Sequence, residues 1–411
     1  MHRSPVLPWL LGWSLGCAAP GPQPQSAAPA PVRPGIDVLL SDSMELVRGR
    51  RVGLVTHRAG VDSRGTSDVT RLRDAGIRVM ALFSPEHGFA GAADPGAAVA
   101  SSVDSATGLP IYSLYGRTSA PTDEMLEGID IMLVDLQDAG ARYYTYLFTT
   151  VEVMKAAARR NIMVVVLDRP DPIGGAVQGN VLDLAYASPV GYLAVPMRHG
   201  MTLGELARMA RADLGVDVRL AVVPIAGWRR GEAVDQKGLP FIPPSPNLRS
   251  IESLFHYPGL CLFEGTNLSV GRGSDAPFEQ IGAPWLDTAR VLAAMRAANP
   301  PGVRFSGVSF TPVSPGDGKY ADTLVAGIRL TVTDRAAYDP TATAVELLSA
   351  VRASGGAHFA WIPASFDRLA GGPALRASLE AGTEPRVIVA GWAPALERFR
   401  ERRRPFLLYG E

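Results

Sequence analysis

The sequence predicts an α/β fold: a Rossmann-like, doubly wound parallel sheet followed by a smaller C-terminal α/β domain. Two observations predict the sheet. Short, β-branched apolar runs recur along the first half of the chain, and stretches of helical character separate them. Runs without polar alternation are strands buried on both faces, as parallel strands are. A third observation places the second domain. A proline-rich break over 235–248 (DQKGLPFIPPSPNL) interrupts the pattern before periodic structure resumes.

The strands are expected over 51–56, 77–83, 129–136, 162–167 and 218–225. Helices are expected over roughly 66–75, 122–128, 145–160 and 202–214. The last opens on Thr202 with Glu205 three residues on, the pattern of a capping box. Together these delimit a domain of about 36–240. From 250 to 411, the sequence predicts a helix over 288–298 and strand-like runs over 303–313 and 324–333. A helix opening on Asp339-Pro340 follows, with further helical stretches near 365–381 and 393–403.

The N-terminus reads differently. Residues 1–17 join a short basic start (His2, Arg3) to a brief apolar run from Val6 to Leu15, too short to span a bilayer. This is the pattern of an export signal, and Cys17 after Leu15-Gly16 resembles the lipidated residue of a bacterial lipoprotein. Residues 18–35, rich in Pro, Ala and Gln, read as a tether.

Composition narrows the function. The 411 residues are 47% hydrophobic and 19% charged, enough to bury a large core. Forty basic residues balance forty acidic ones, which argues against a nucleic-acid binder and against a polybasic membrane patch. Two cysteines make neither a disulfide framework nor a zinc site. No Walker A loop, no G-x-G-x-x-G after the first strand and no H-E-x-x-H occur, so no nucleotide cofactor or metal is expected. Asn267–Gly271 lacks the first glycine of a nucleophile elbow.

Ligands of open parallel sheets bind beyond the carboxyl ends of the strands, so the residues after each run matter most. Those are Thr56-His57, Ser84-Pro85-Glu86-His87-Gly88-Phe89, Asp135-Leu136-Gln137-Asp138 through Arg142-Tyr143-Tyr144, and Asp168-Arg169-Pro170-Asp171. Each is also readable as an ordinary polar connection, but several acid-bearing loops on one rim point to a cleft. Glu86 sits in a loop constrained by Pro85 and loosened by Gly88. Beside Phe89 it is expected to feel an apolar wall and serve as a general acid. Asp135 and Gln137 share one side of a strand end, suited to sugar hydroxyls, while Asp138 faces the other way or caps the next helix. Arg142 offers a fork for a carboxylate. Tyr143, Tyr144 and Tyr146 read as a stacking wall or as core. In the second half, Phe263 to Asp275 forms a Gly- and polar-rich loop containing Glu264, Asn267 and Arg272.

These segments resemble the family catalogued as domain of unknown function 1343, whose characterised members are exo-β-N-acetylmuramidases of the NamZ type. The resemblance rests on Gly53-Leu54-Val55-Thr56, Ser84–Phe89, Asp135–Asp138 with Arg142–Tyr146, and Leu167–Pro170. It continues through Pro244–Leu248, Phe263–Asn267 with Ser269–Gly273, and Pro277–Gly282. It spans about 36–411 and implies an exo-acting glycoside hydrolase with an interdomain cleft. The implied substrates are MurNAc-GlcNAc saccharides derived from peptidoglycan, cleaved from the non-reducing end. It implies that Glu86 is the catalytic acid. The second group would be Glu264, Asp135 or Asp138, or the substrate's own 2-acetamido group. His87, Gln137, Asp138, Arg142, Tyr144, Asn267 and Arg272 are the candidate substrate-binding residues, with Arg142 or Arg272 on the lactyl carboxylate. An inactive peptidoglycan-binding lipoprotein is the alternative reading.

Overall fold

The computed structural model describes residues 1–2, 4–5 and 31–410, so Cys17 and most of the expected signal and tether lie outside the described residues. The central sheet holds seven strands: β1 (Arg51–Thr56), β2 (Arg78–Ser84), β3 (Ser102–Val103), β4 (Pro110–Ser113), β5 (Ile131–Asp135), β6 (Met163–Leu167) and β9 (Leu220–Val223). Their order is β3-β4-β2-β1-β5-β6-β9, and every pairing is parallel except β3 with β4. The five predicted strands are all present. The short β3 and β4 were not predicted. Residues 122–128, expected as a helix, form consecutive turns instead.

Side-chain alternation divides the sheet's two faces. Val52, Leu54, Leu82, Leu133 and Val165 face helices α1 (Gly35–Asp42) and α2 (Asp68–Asp74). Val55, Phe83, Met132, Val134 and Val166 face α3 (Tyr146–Arg159) and α4 (Leu203–Asp213). Thr202 and Glu205 form the predicted capping box at the start of α4. Residues 31–35, read from sequence as the end of a tether, join the fold. Val32 is buried against Ile225 and Trp228, and Arg33 bridges to Ala226.

A two-stranded ribbon, β7 (Gln178–Val181) with β8 (Pro196–Arg198), leads toward the second half. There α5 (Ile251–Leu260) precedes an antiparallel sheet of β10 (Gln280–Ala283), β12 (Val325–Val332) and β11 (Val303–Phe310), in that order. Helices α6 (Thr288–Ala298) and α7 (Pro340–Gly355) stand where Asp287 and Asp339 cap them. Four more follow: α8 (Pro363–Ala370), α9 (Ala374–Glu380), α10 (Pro385–Ala390) and α11 (Ala393–Arg403). The apolar core of the α3/α4 face continues without a break into Phe255, Phe278, Ile328 and Leu348. Residues from Pro31 onward therefore form one compact unit.

Candidate active site

In-register pairing brings the carboxyl ends of β1, β2 and β5 side by side: Val55 pairs with Phe83, and Thr56 with Asp135. The loop leaving β2 carries Glu86 and His87. It closes on itself through Gly88 N–H to Pro85 O (3.0 Å), Ala93 N–H to His87 O (3.1 Å) and His87 Nδ1–H to Ala93 O (2.8 Å). His87 stands at φ +72°, a left-handed conformation uncommon for a residue with a side chain and characteristic of functional loops.

Glu86 is 8% exposed, and both its carboxyl oxygens accept hydrogen bonds. Gly96 N–H donates to Oε1 at 2.8 Å, and the Thr145 hydroxyl donates to Oε2 at 2.7 Å. The Tyr115 phenol lies within electrostatic reach of this carboxylate. Burial and the Glu86 charge push that phenol up to about 12. Phe89, expected as an apolar wall, joins the core on the α1/α2 side, so neutral donors frame Glu86 instead. Behind them, Tyr146 OH donates to Pro244 O at 3.1 Å and lies 3.4 Å from His57 Nδ1, while His57 Nε2 accepts from Gln137 N–H at 3.1 Å. Burial holds His57 well below the usual histidine range.

The second half contributes a facing pair. Glu264 Oε1 accepts from Arg272 Nε (2.8 Å) and Nη2 (2.6 Å), and its side chain is 23% exposed. Arg272 is buried over the Phe278 ring and within electrostatic reach of His87. Burial pulls the His87 imidazole below its ordinary range, and Arg272 pulls the same way against the Glu86 charge. Lys319, on the β11–β12 connection, donates to the carbonyls of Glu264 (3.1 Å) and Leu268 (3.0 Å) and so holds the loop that carries Glu264. Glu86, His87, Glu264 and Arg272 thus gather from two parts of the chain.

The other sequence-derived candidates are placed differently. Asp135 is 0% exposed, gripped by Arg169 through Nε (2.5 Å) and Nη2 (2.9 Å). Burial pushes its carboxyl up and Arg169 pulls it down. Asp138 accepts from Gly140 N–H and lies 3.5 Å from His199 Nε2. The Gln137 amide donates to the carbonyls of Asp138 and Pro170. Arg142 is buried and donates to the carbonyls of Asn180 (2.7 Å), Val195 (3.2 Å) and Leu369 (2.9 Å), so it ties elements together rather than presenting a fork to a ligand. Tyr144 OH bonds to Pro244 O, which makes it core rather than a stacking wall. Asn267 is pinned to His358 O and Ala360 N–H. Sequence reasoning missed Tyr115, Thr145, Gly96 and Lys319. Thr145 lay inside a quoted motif, but nothing local shows that its hydroxyl meets a carboxylate 59 residues away.

Among the described residues, no group of His, Cys, Asp and Glu is arranged to hold a metal, and no helix is long and apolar enough to cross a membrane.

Comparison with known proteins gives the class of protein to which this fold belongs. The N-terminal profile of exo-β-N-acetylmuramidase NamZ matches residues 52–252, and its C-terminal profile matches 255–409. The chain belongs to this family. Among its relatives is the peptidoglycan β-N-acetylmuramidase NamZ of Bacillus subtilis (strain 168), 40% identical over 395 residues that cover 95% of each chain. Two crystal structures of DUF1343 family proteins from Bacteroides fragilis NCTC 9343 share the fold. One has a TM-score of 0.83 at 32% identity, covering 92% of this chain and 99% of its own. The other has 0.76 at 30%, covering 93% and 100%.

Proposed function

We propose that this protein is an exo-acting β-N-acetylmuramidase that removes N-acetylmuramic acid from the non-reducing end of peptidoglycan fragments, with Glu86 as general acid. Full-length family membership supports the reaction. The observation that carries the assignment of Glu86 is its carboxyl at the sheet's rim, held by neutral donors, with the Glu264–Arg272 pair within electrostatic reach of its neighbour His87.

Glycoside hydrolysis needs an acid to protonate the leaving oxygen and a group opposite it to act as nucleophile or base. Of the three carboxylates weighed as partner, Asp135 is sealed by Arg169 and Asp138 is nearly buried beside His199. Glu264 keeps an exposed edge and one oxygen free of Arg272. We assign it the second role. Arg272 binds Glu264 through Nε and Nη2, and its Nη1 makes no hydrogen bond among the described residues. That Nη1 suits the lactyl carboxylate that distinguishes muramic acid from glucosamine. Arg272→Met is expected to erode discrimination between the two sugars, measured as a ratio of kcat/KM. Unchanged discrimination would remove Arg272 from that role.

A peptidoglycan substrate places the protein in the cell envelope. We further propose that Cys17 carries a lipid anchor, which radiolabelled fatty acid incorporation into wild type but not Cys17→Ser would support.

The deciding experiment incubates the unit from Pro31 onward with the disaccharide MurNAc-GlcNAc and measures free N-acetylmuramic acid. Release by wild type and its loss in folded Glu86→Gln are expected. Affinity without release by wild type would favour a binding protein.

A further inference from the structure

We infer that Thr145 is a positioning residue that selects Oε2 of Glu86 as the oxygen delivering the proton; the inference rests on the glycosidase reading above. The first observation is where the Thr145 hydroxyl goes. Thr145 precedes α3 with helical dihedrals (φ −75°, ψ −4°), outside the extended geometry in which a threonine caps a helix, and it makes no capping bond. Its hydroxyl is therefore free of the helix end and donates to Glu86 Oε2 at 2.7 Å.

The second argument is the chemistry of the two donors. Oε1 receives Gly96 N–H, and an amide can only donate. An oxygen held this way is best matched as the acceptor half of the carboxyl in either protonation state. Oε2 faces a hydroxyl, which both donates and accepts. It can accept from the carboxylic acid and, once the proton has left, rotate to donate to the carboxylate. Oε2 is therefore the oxygen whose partner stays matched on both sides of the transfer. In the step, the Oε2 proton moves to the glycosidic oxygen. The C1–O bond breaks with its electron pair going to that oxygen, and Glu86 is left as a carboxylate receiving Gly96 N–H and Thr145 O–H.

Leaving-group dependence tests this. A 4-nitrophenyl leaving group departs without protonation, whereas a sugar hydroxyl does not. For Thr145→Val, kcat on MurNAc-GlcNAc is expected to fall roughly 10-fold, a part of the roughly 10²–10⁴-fold a general acid contributes, while kcat on 4-nitrophenyl N-acetylmuramide falls less than about 3-fold. Thr145→Ser, which keeps the hydroxyl, is expected to restore the disaccharide rate. Equal losses on both substrates would mean that Thr145 merely supports the fold and would overturn the inference, as would no loss on either. Glu86→Gln, run alongside, separates the two levels. If it retains wild-type disaccharide turnover, the acid assignment itself fails. If it loses that turnover while Thr145→Val does not, only the positioning role fails.

Discussion

Glu86 and Asp135 stand on one rim, just past β2 and at the end of β5 with β1 between those strands, yet the fold treats them in opposite ways. Asp135 closes β5, has no exposure and is gripped by Arg169, which also reaches the Val61 carbonyl. Glu86 lies just beyond β2, keeps a small exposed edge and is held by an amide and a hydroxyl that carry no charge. The Arg169 guanidinium neutralises Asp135 and occupies both its oxygens. Neutral donors orient a carboxyl without neutralising it, which leaves it able to exchange a proton. Position at a strand end does not by itself make a catalytic group; the kind of partner decides.

The largest test of this contrast is catalytic. Glu86→Gln keeps the shape and the Gly96 contact but cannot deliver a proton, so kcat on the disaccharide is expected to fall roughly 10²–10⁴-fold. Thermal stability, followed by circular dichroism, should stay near wild type. Arg169→Met is the mirror image. It strands the Asp135 charge in the interior beside buried Asp68, and loss of a buried ion-pair partner costs about 3–5 kcal/mol. Urea unfolding would show that loss. If Arg169→Met instead left stability intact and abolished turnover in the folded protein, the Asp135 cluster would belong to the active site and the contrast would collapse.

The same distinction shows what was legible in the sequence. The β1, β2, β5 and β6 runs were readable because burial on both faces leaves little polar alternation, and the helix after Asp339-Pro340 was readable from its cap. The 122–128 segment misled because its polar, Glu-rich composition suits a turn as well as a helix. Glu86 was legible as a carboxyl in a constrained loop. Arg142 and Arg272 were not separable, since each is one arginine near glycine and aromatic residues. Only the folded chain shows that carbonyls surround one and a carboxylate holds the other. Likewise Thr145 reads as the first residue of the expected 145–160 helix until the fold brings Glu86 to it.

A third buried acid refines the comparison by pH. Asp168, at the end of β6, accepts from the Tyr409 and Thr202 hydroxyls and from Gly204 N–H. Burial nonetheless pushes its carboxyl up to about 7, with the Glu205 charge adding to the effect and the hydroxyls opposing it. In the unfolded chain an aspartate titrates near 4 (about 3.9). Between those values the folded protein holds a proton that the unfolded chain has released. The contribution is therefore fully present below about pH 4 and is lost as pH rises through 7. Asp168→Asn, compared with wild type by urea unfolding across this range, should flatten that part of the slope. An unchanged slope would mean that the donors around Asp168 outweigh its burial.

The smallest expected effect belongs to an acid with neither burial nor a charged partner. Asp287 is exposed and accepts only from Arg290 N–H at the start of α6. Solvent already satisfies its charge, so what its side chain adds is one capping bond and a favourable place at the positive end of the helix. Asp287→Ala should cost about 1 kcal/mol in urea unfolding and leave disaccharide turnover unchanged. This variant removes a carboxylate while touching neither the Glu86 cradle nor a buried pair. A turnover loss in Asp287→Ala would show that activity follows the stability of the second domain rather than the chemistry of Glu86. The effects of the other carboxylate variants would then have to be normalised to folded protein before any was assigned to catalysis.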